Sequence, residues 1–95
     1  MSDWYVYVVR CRDGTLYTGI AKDLGRRIRE HNAGDKRGAK YTRVRRPVEL
    51  VYWEVCNTRS QAAKREYQIK QWPKPSKEAL LKDDAGGRGA GGADG

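Results

Sequence analysis

Residues 4–10 read Trp-Tyr-Val-Tyr-Val-Val-Arg, a run of aromatic and β-branched types that predicts a strand. Arg12-Asp13-Gly14 supplies turn residues, and residues 15–20 continue as a second short strand, so the pair predicts a hairpin. Asp23 stands where it can cap a helix running to about Asn32, with Asn32-Ala33-Gly34 as its stop. Gly25 in its first turn costs about 1 kcal/mol against alanine. Residues 34–46 show no clear period, although 39–43 suffice for one helical turn. Pro47 ends any helix there, and residues 48–56 form a third strand. Its apolar residues fall on both sides, Val48, Leu50 and Tyr52 on one and Val51, Trp53 and Val55 on the other, which predicts a central strand covered on both faces. Thr58 with Gln61 has the form of a capping box and opens a helix over residues 59–71. Trp72-Pro73 breaks it, and Ser76 can cap a short last helix through Leu81 or Lys82.

The order β-β-α-β-α-α predicts a small α/β (α+β) domain, a three-stranded antiparallel-type sheet flanked by helices on both faces. It occupies residues 1–84. Residues 85–95 are almost all Gly, Ala, Asp and Arg, and read as a disordered tail. There is no internal repeat.

The chain is 38% hydrophobic and 34% charged, with a net charge of +8. The excess is concentrated: between residues 20 and 46 ten basic side chains face only Asp23, Glu30 and Asp35, giving +7 of that +8. Such a footprint calls for a polyanion, with nucleic acid ahead of an anionic membrane, because no helix backs its basic face with a large apolar one. A solvated charged face is the plain alternative. No apolar run approaches the length of a membrane-crossing helix, and the N-terminus lacks a signal-peptide pattern. Cys11 and Cys56 read as reduced thiols of a cytoplasmic protein, and with His31 as the one histidine a structural zinc site is excluded.

Some residues break the structural pattern. Ala62, Glu66 and Ile69 fall at i, i+4 and i+7, so a carboxylate lies in an apolar helical stripe and needs an arginine, a metal or a ligand. A rim position paired with Lys70 is the simpler reading. Beside the Leu24 and Ile28 stripe, Arg27 and His31 are spaced i,i+4 and point over one edge of the sheet. Arginine there suits a phosphate, while a helix-end histidine is often merely buried. Tyr5, Tyr7 and Tyr17 add three tyrosines to one hairpin.

Together these residues resemble the GIY-YIG nuclease superfamily, in its small single-domain bacterial branch. Tyr5-Val6-Tyr7 corresponds to the first motif and Tyr17-Thr18-Gly19 to the second, nine residues apart; Tyr5 replaces the family's Gly and Thr18 its Ile. Arg27 fits the invariant arginine, His31 the His or Tyr four residues on, and Glu66 the metal-binding glutamate. Residues 38–42 and 46–51 also look like this branch.

The resemblance implies a GIY-YIG-like fold and a divalent-metal-dependent endonuclease that hydrolyses phosphodiester bonds in DNA, structure-specific or non-specific, with roles such as DNA repair. It implies Mg²⁺ or Mn²⁺ at Glu66, Arg27 against transition-state charge, and Tyr7 or Tyr17 as the base with His31 as hydrogen-bond partner. A phenol working at pH 7 needs its pKa lowered by about 3 units, roughly 4 kcal/mol, and Arg27 would give part of that. Gly19 would let the backbone approach substrate. The pool for the nucleic-acid backbone is Lys22, Arg26, Lys36, Arg37, Lys40, Arg43, Arg45 and Arg46, with Tyr41 at the active edge. Many active members carry an asparagine after the glutamate helix, and residues 72–82 hold none. The alternative is therefore a nucleic-acid-binding module on the same fold, with a protein partner for targeting.

Overall fold

A computed structural model describes residues 3–34 and 37–84, of which 82–84 are described by their backbone course alone. Lys36, Asp35 and the 85–95 tail, on which three expectations rested, lie outside the described residues. The strands β1 (Trp4–Cys11), β2 (Leu16–Ala21) and β3 (Val48–Cys56) form one antiparallel sheet in the order β2-β1-β3. The helices are α1 (Leu24–Ala33), α2 (Lys40–Arg43), α3 (Arg59–Gln71) and α4 (Lys74–Asp84).

The central strand is β1, not β3. The hairpin commits one edge of β1 to β2, and β3 takes the other. Its two-sided apolar pattern has a different cause, a β-bulge. Pairing passes from Val8 opposite Tyr52 to Val9 opposite Leu50, leaving Val51 as the extra residue. One inserted residue exchanges the faces of everything beyond it. Val48 and Leu50 therefore share a face with Trp53 and Val55, while Tyr52 joins Glu54 and Cys56 on the other.

The first face buries Tyr7, Val9, Cys11, Ala21 and Val48 under Leu24 and Ile28 of α1. The second buries Val6 against Ala62 and Ile69 of α3, closed by Trp4, Ile20, Trp72 and Leu80. Cys11 and Cys56 are free thiols on opposite faces.

The helix ends follow the predicted signals. Asp23 Oδ1 accepts from the Arg26 amide at 3.0 Å, and Gly34 closes α1 in the left-handed region at φ 78°. Thr58 Oγ1 accepts from the Gln61 amide, and Gln61 Oε1 accepts from the Asn57 amide, both at 3.1 Å. α4 starts two residues before the expected Ser76 cap and runs on through Asp84, beyond the predicted stop at residues 81–82. The Pro73 carbonyl accepts from the Ser76 and Lys77 amides, so Pro75 falls in the first turn, where a missing N–H costs nothing.

One buried cluster fixes where α3 sits. Glu54, 7% exposed, accepts from the Tyr52 hydroxyl at 2.5 Å and from both Arg65 Nε and Arg65 Nη2. Because Arg65 precedes Glu66, this clamp orients the whole helix. Glu54→Gln should cost roughly 3 kcal/mol in urea unfolding, since it leaves Arg65 without its counter-charge. A loss below about 1 kcal/mol would show that the clamp carries little.

Candidate active site

The site lies along the β2 edge, where α1, α2 and α3 converge. His31 continues the stripe of Leu24 and Ile28 at i+7, so it is fully buried. Burial obliges both ring nitrogens to find partners. Nε2 lies 2.7 Å from the Tyr7 hydroxyl and Nδ1 lies 2.8 Å from Thr42 Oγ1. Thr42 Oγ1 donates its one proton to the Ala39 carbonyl at 3.0 Å. It must then accept from His31, which puts the imidazole proton on Nδ1 and leaves Nε2 to accept from Tyr7. The alternative, an Ala39 amide donating to Nδ1, spans 3.5 Å and is the weaker geometry. The result is a one-way chain, Tyr7 to His31 to Thr42 to the Ala39 carbonyl.

Tyr7 is 1% exposed, and its hydroxyl lies directly over Gly19, its partner across the β1–β2 pair. Burial pushes its pKa up to about 12, against the opposing pull of the Arg27 guanidinium beside it. The sequence expectation that cations would lower this phenol toward neutrality therefore fails for Tyr7, because desolvation of the phenolate outweighs one arginine. Burial likewise holds His31 down, at about 4, with Arg27 adding to the effect.

The sign for stability follows from linkage. An unfolded histidine near 6.5 takes up a proton that the folded one refuses, so the contribution is full above about 6.5 and is lost as pH falls toward 4. It amounts to about 3 kcal/mol. Urea unfolding of wild type should weaken between pH 7 and 4.5 more steeply than that of His31→Gln; parallel profiles would contradict the buried neutral imidazole.

Around this chain the other residues gather. Arg27 Nη1 donates to Glu30 Oε1 at 2.9 Å and to the Arg37 carbonyl at 2.5 Å, which ties α1 to the following loop. Tyr17 stands half-buried, edge-on to His31 with centroids 5.5 Å apart. Tyr41 stacks on Tyr17 at 5.8 Å and 21°, and Arg45 lies 4.0 Å over the Tyr41 ring while pairing with Asp13. Glu66 comes in from α3 on the other side. It is close enough to Tyr7 to act on it electrostatically, and it pairs with Lys70 at 3.0 Å. Lys70 Nζ is in turn 5.9 Å from the Tyr17 ring.

The structure thus brings together Tyr7, Tyr17, Gly19, Arg27, His31, Tyr41, Arg45 and Glu66. Lys22 and Arg26 are exposed beside this edge, lining a shallow cleft of about 370 Å³ with Trp4 and Arg27; Lys22 lies 5.7 Å over the Trp4 ring. Arg37 and Lys40 are exposed on the connecting segment. Arg43 and Arg46 are not at this edge: they line a separate cavity with Arg12. Tyr5 packs edge-on against Trp53, both half-buried. The residue that the sequence reading missed is Thr42. It sits in an aperiodic stretch, and its one signal is the buried histidine's need for a second partner.

Among the described residues no three His, Cys, Asp or Glu side chains cluster as a metal cage. Both nitrogens of His31 are committed, so it is no ligand. Glu30 is held by Arg26 and Arg27, which leaves the Glu66 carboxylate, with the Lys70 ammonium already occupying a cation's place beside it. That donor set fits Mg²⁺ or Mn²⁺, which keep most of their waters and take one or two carboxylates, and does not fit Zn²⁺.

Comparison with known proteins covers nearly all of this framework. The family described as "GIY-YIG catalytic domain" matches residues 3–79. A UPF0213 protein of Desulfotalea psychrophila is 60% identical over 83% of this chain and 71% of its own. One of Staphylococcus aureus is 53% identical over 87% of this chain and 99% of its own. Two solution structures share the fold: a UPF0213 protein of Bacillus halodurans, 40% identical, covering 84% of this chain and 83% of its own, TM-score 0.54, and a protein of E. faecalis, 42% identical, covering 87% and 86%, TM-score 0.59.

Proposed function

The chain belongs to the GIY-YIG family, and from that membership we propose that it is a divalent-metal-dependent endonuclease acting on DNA. The observation that carries the proposal is the convergence of Arg27, the Tyr7–His31 pair, Tyr17 and Glu66 at one edge, to which the basic stretch of residues 20–46 contributes Arg27 and His31.

Each residue has a role its surroundings support. Glu66 would hold Mg²⁺ or Mn²⁺, and the bound ion would lend positive charge to the leaving oxygen. Arg27 sets its planar donors against the charge that develops on the phosphoryl group. Tyr7 is the orienting tyrosine. Passing its proton to His31 would run from a pKa of about 12 to one of about 4, roughly 11 kcal/mol uphill, so it stays a phenol and holds Arg27 in place. The attacking water is left to Tyr17, which is half-buried and whose hydroxyl makes no hydrogen bond among the described residues. Tyr41 walls the site through its stack on Tyr17. Lys22, Arg26, Arg37, Lys40 and Arg45, with Lys36, hold the backbone by charge. The small basic surface suits structure-specific or non-specific cutting, with a protein partner for any finer targeting.

Lys70 gives the proposal a quantitative handle. Its ammonium competes with a metal for Glu66, so Lys70→Met should lower the Mg²⁺ concentration at half-maximal nicking several-fold without abolishing cutting. An unchanged Mg²⁺ dependence would separate Glu66 from the metal.

A second reading, a binding module without catalysis, is favoured by that same Lys70 pairing and by the absence of asparagine from residues 72–82. Nicking assays with Mg²⁺ and with EDTA decide between the two.

A further inference from the structure

We propose that the cavity where β1 ends and β3 begins is a second backbone-phosphate site, which grips duplex DNA about four base pairs from the scissile phosphate. The inference rests on the nucleic-acid reading above and extends it to a part of the surface away from the reacting residues.

The cavity holds about 440 Å³ and is lined by Arg12, Arg43 and Arg46, with Asn32, Val44 and Pro47. Its charge has no local counter-charge among the described residues. Arg10, Arg26, Arg27, Arg45 and Arg65 each pair with a carboxylate. Among the described residues no carboxylate pairs with Arg12, Arg43 or Arg46. Three guanidiniums facing one space repel each other, and an anion placed between them relieves that repulsion.

Two local features support a built site. The Nε of Arg43 is buried and meets no acceptor, an unmet donor that is released when the side chain swings toward an incoming phosphate. Arg46 is held at the wall. Its Nε donates to the Arg43 carbonyl at 2.9 Å, and its guanidinium lies so close to Gly34 that a Cβ there would come within 2.6 Å. The floor is fixed by Asn32, whose amide donates to the Val48 carbonyl at 3.1 Å and accepts from the Val48 amide at 2.7 Å. Val44, 80% exposed, stands at the rim as an apolar tip against a sugar or base edge.

Position makes the occupant a stretch of duplex and not a lone anion. Val48 pairs with Cys11, and Tyr7 lies four residues back along β1, about 14 Å at the rise of a strand. Duplex DNA advances about 3.4 Å per base pair, so that span is about four pairs. The segment carrying Arg43 also carries Tyr41 into the stack on Tyr17, so one turn serves both sites.

The test is binding of a fluorescent 16-base-pair duplex in EDTA, between 50 and 200 mM KCl, by the full chain. Arg12→Ala with Arg46→Ala should flatten the slope of log K against log salt by about 2, from about 0.9 per phosphate contact, and weaken binding at least tenfold at 150 mM. Lys64→Ala with Lys77→Ala removes the same charge from α3 and α4 and should shift the slope by less than about 0.5. The Lys versions of Arg12 and Arg46 should restore the slope, which separates lost contacts from a damaged fold. Equal effects of the two Ala pairs, or an unchanged slope in the first, would overturn the second site while leaving the enzyme reading standing. Wild type that shows no salt-dependent duplex binding would overturn both.

Discussion

Glu66→Ala should reduce Mg²⁺-dependent nicking at least 10³-fold while leaving duplex affinity in EDTA within about twofold of wild type. The two halves of this expectation come from different physics. On the proposed reading nicking depends on Glu66, the carboxylate of the site that no arginine holds, and a lost metal would remove several kcal/mol of transition-state stabilisation. Affinity in EDTA comes from basic side chains against phosphates, and Glu66 makes no such contact. Folding should survive, because the change breaks only an i,i+4 pair with Lys70, worth about 0.3–0.5 kcal/mol. A folded variant that still cuts in Mg²⁺ would show that the carboxylate does not hold the metal.

Gly19→Ala should be the most damaging change of a single methyl group. A Cβ on Gly19 would come within 2.5 Å of Tyr7 Oη and 2.7 Å of its ring. Tyr7 cannot yield easily, since it is 1% exposed and its hydroxyl is bound to His31. Displacing the ring by about 1 Å breaks that bond and moves the group that holds Arg27. A shift of that size typically costs about 10²-fold in rate. Overpacking should also lower stability by about 1–3 kcal/mol. The variant's kcat should fall with little change in the duplex affinity measured in EDTA. Wild-type kcat in a Gly19→Ala protein would mean that Tyr7 is not part of the machinery.

Local signals in the sequence carried most of the fold. Asp23, Gly34 and the Thr58–Gln61 pair mark helix ends because each acts on backbone groups within a few residues. The β3 boundaries are equally local, set by Pro47 and by the β-branched run. The place of β3 was not legible, because a bulge at Val51 and a two-sided buried strand produce the same apolar pattern. In the site, Glu66 was legible as a carboxylate at core spacing, which is costly without a partner, whereas Arg27 and His31 read only as an i,i+4 pair beside the apolar stripe that His31 in fact continues. Thr42 was not, since nothing in residues 34–46 is periodic. Charge counting put Arg43 and Arg46 in one nucleic-acid pool with the basic residues of the β2 edge because a net charge has no direction; only the fold separates them. The phenol of Tyr7 moved against expectation because a list of nearby cations says nothing of how much water the ring loses.

The most direct measurement is nicking on a panel of duplex, flap, junction and single-stranded DNA with an RNA control, in Mg²⁺, Mn²⁺ and EDTA, using wild type, Glu66→Ala and Arg27→Ala. Wild type should cut DNA in Mg²⁺ or Mn²⁺ and not in EDTA, and both variants should lose cutting while keeping their binding in EDTA. Salt-sensitive binding with no cutting under any metal, equal in wild type and Glu66→Ala, would contradict it and leave a nucleic-acid-binding module on a nuclease fold.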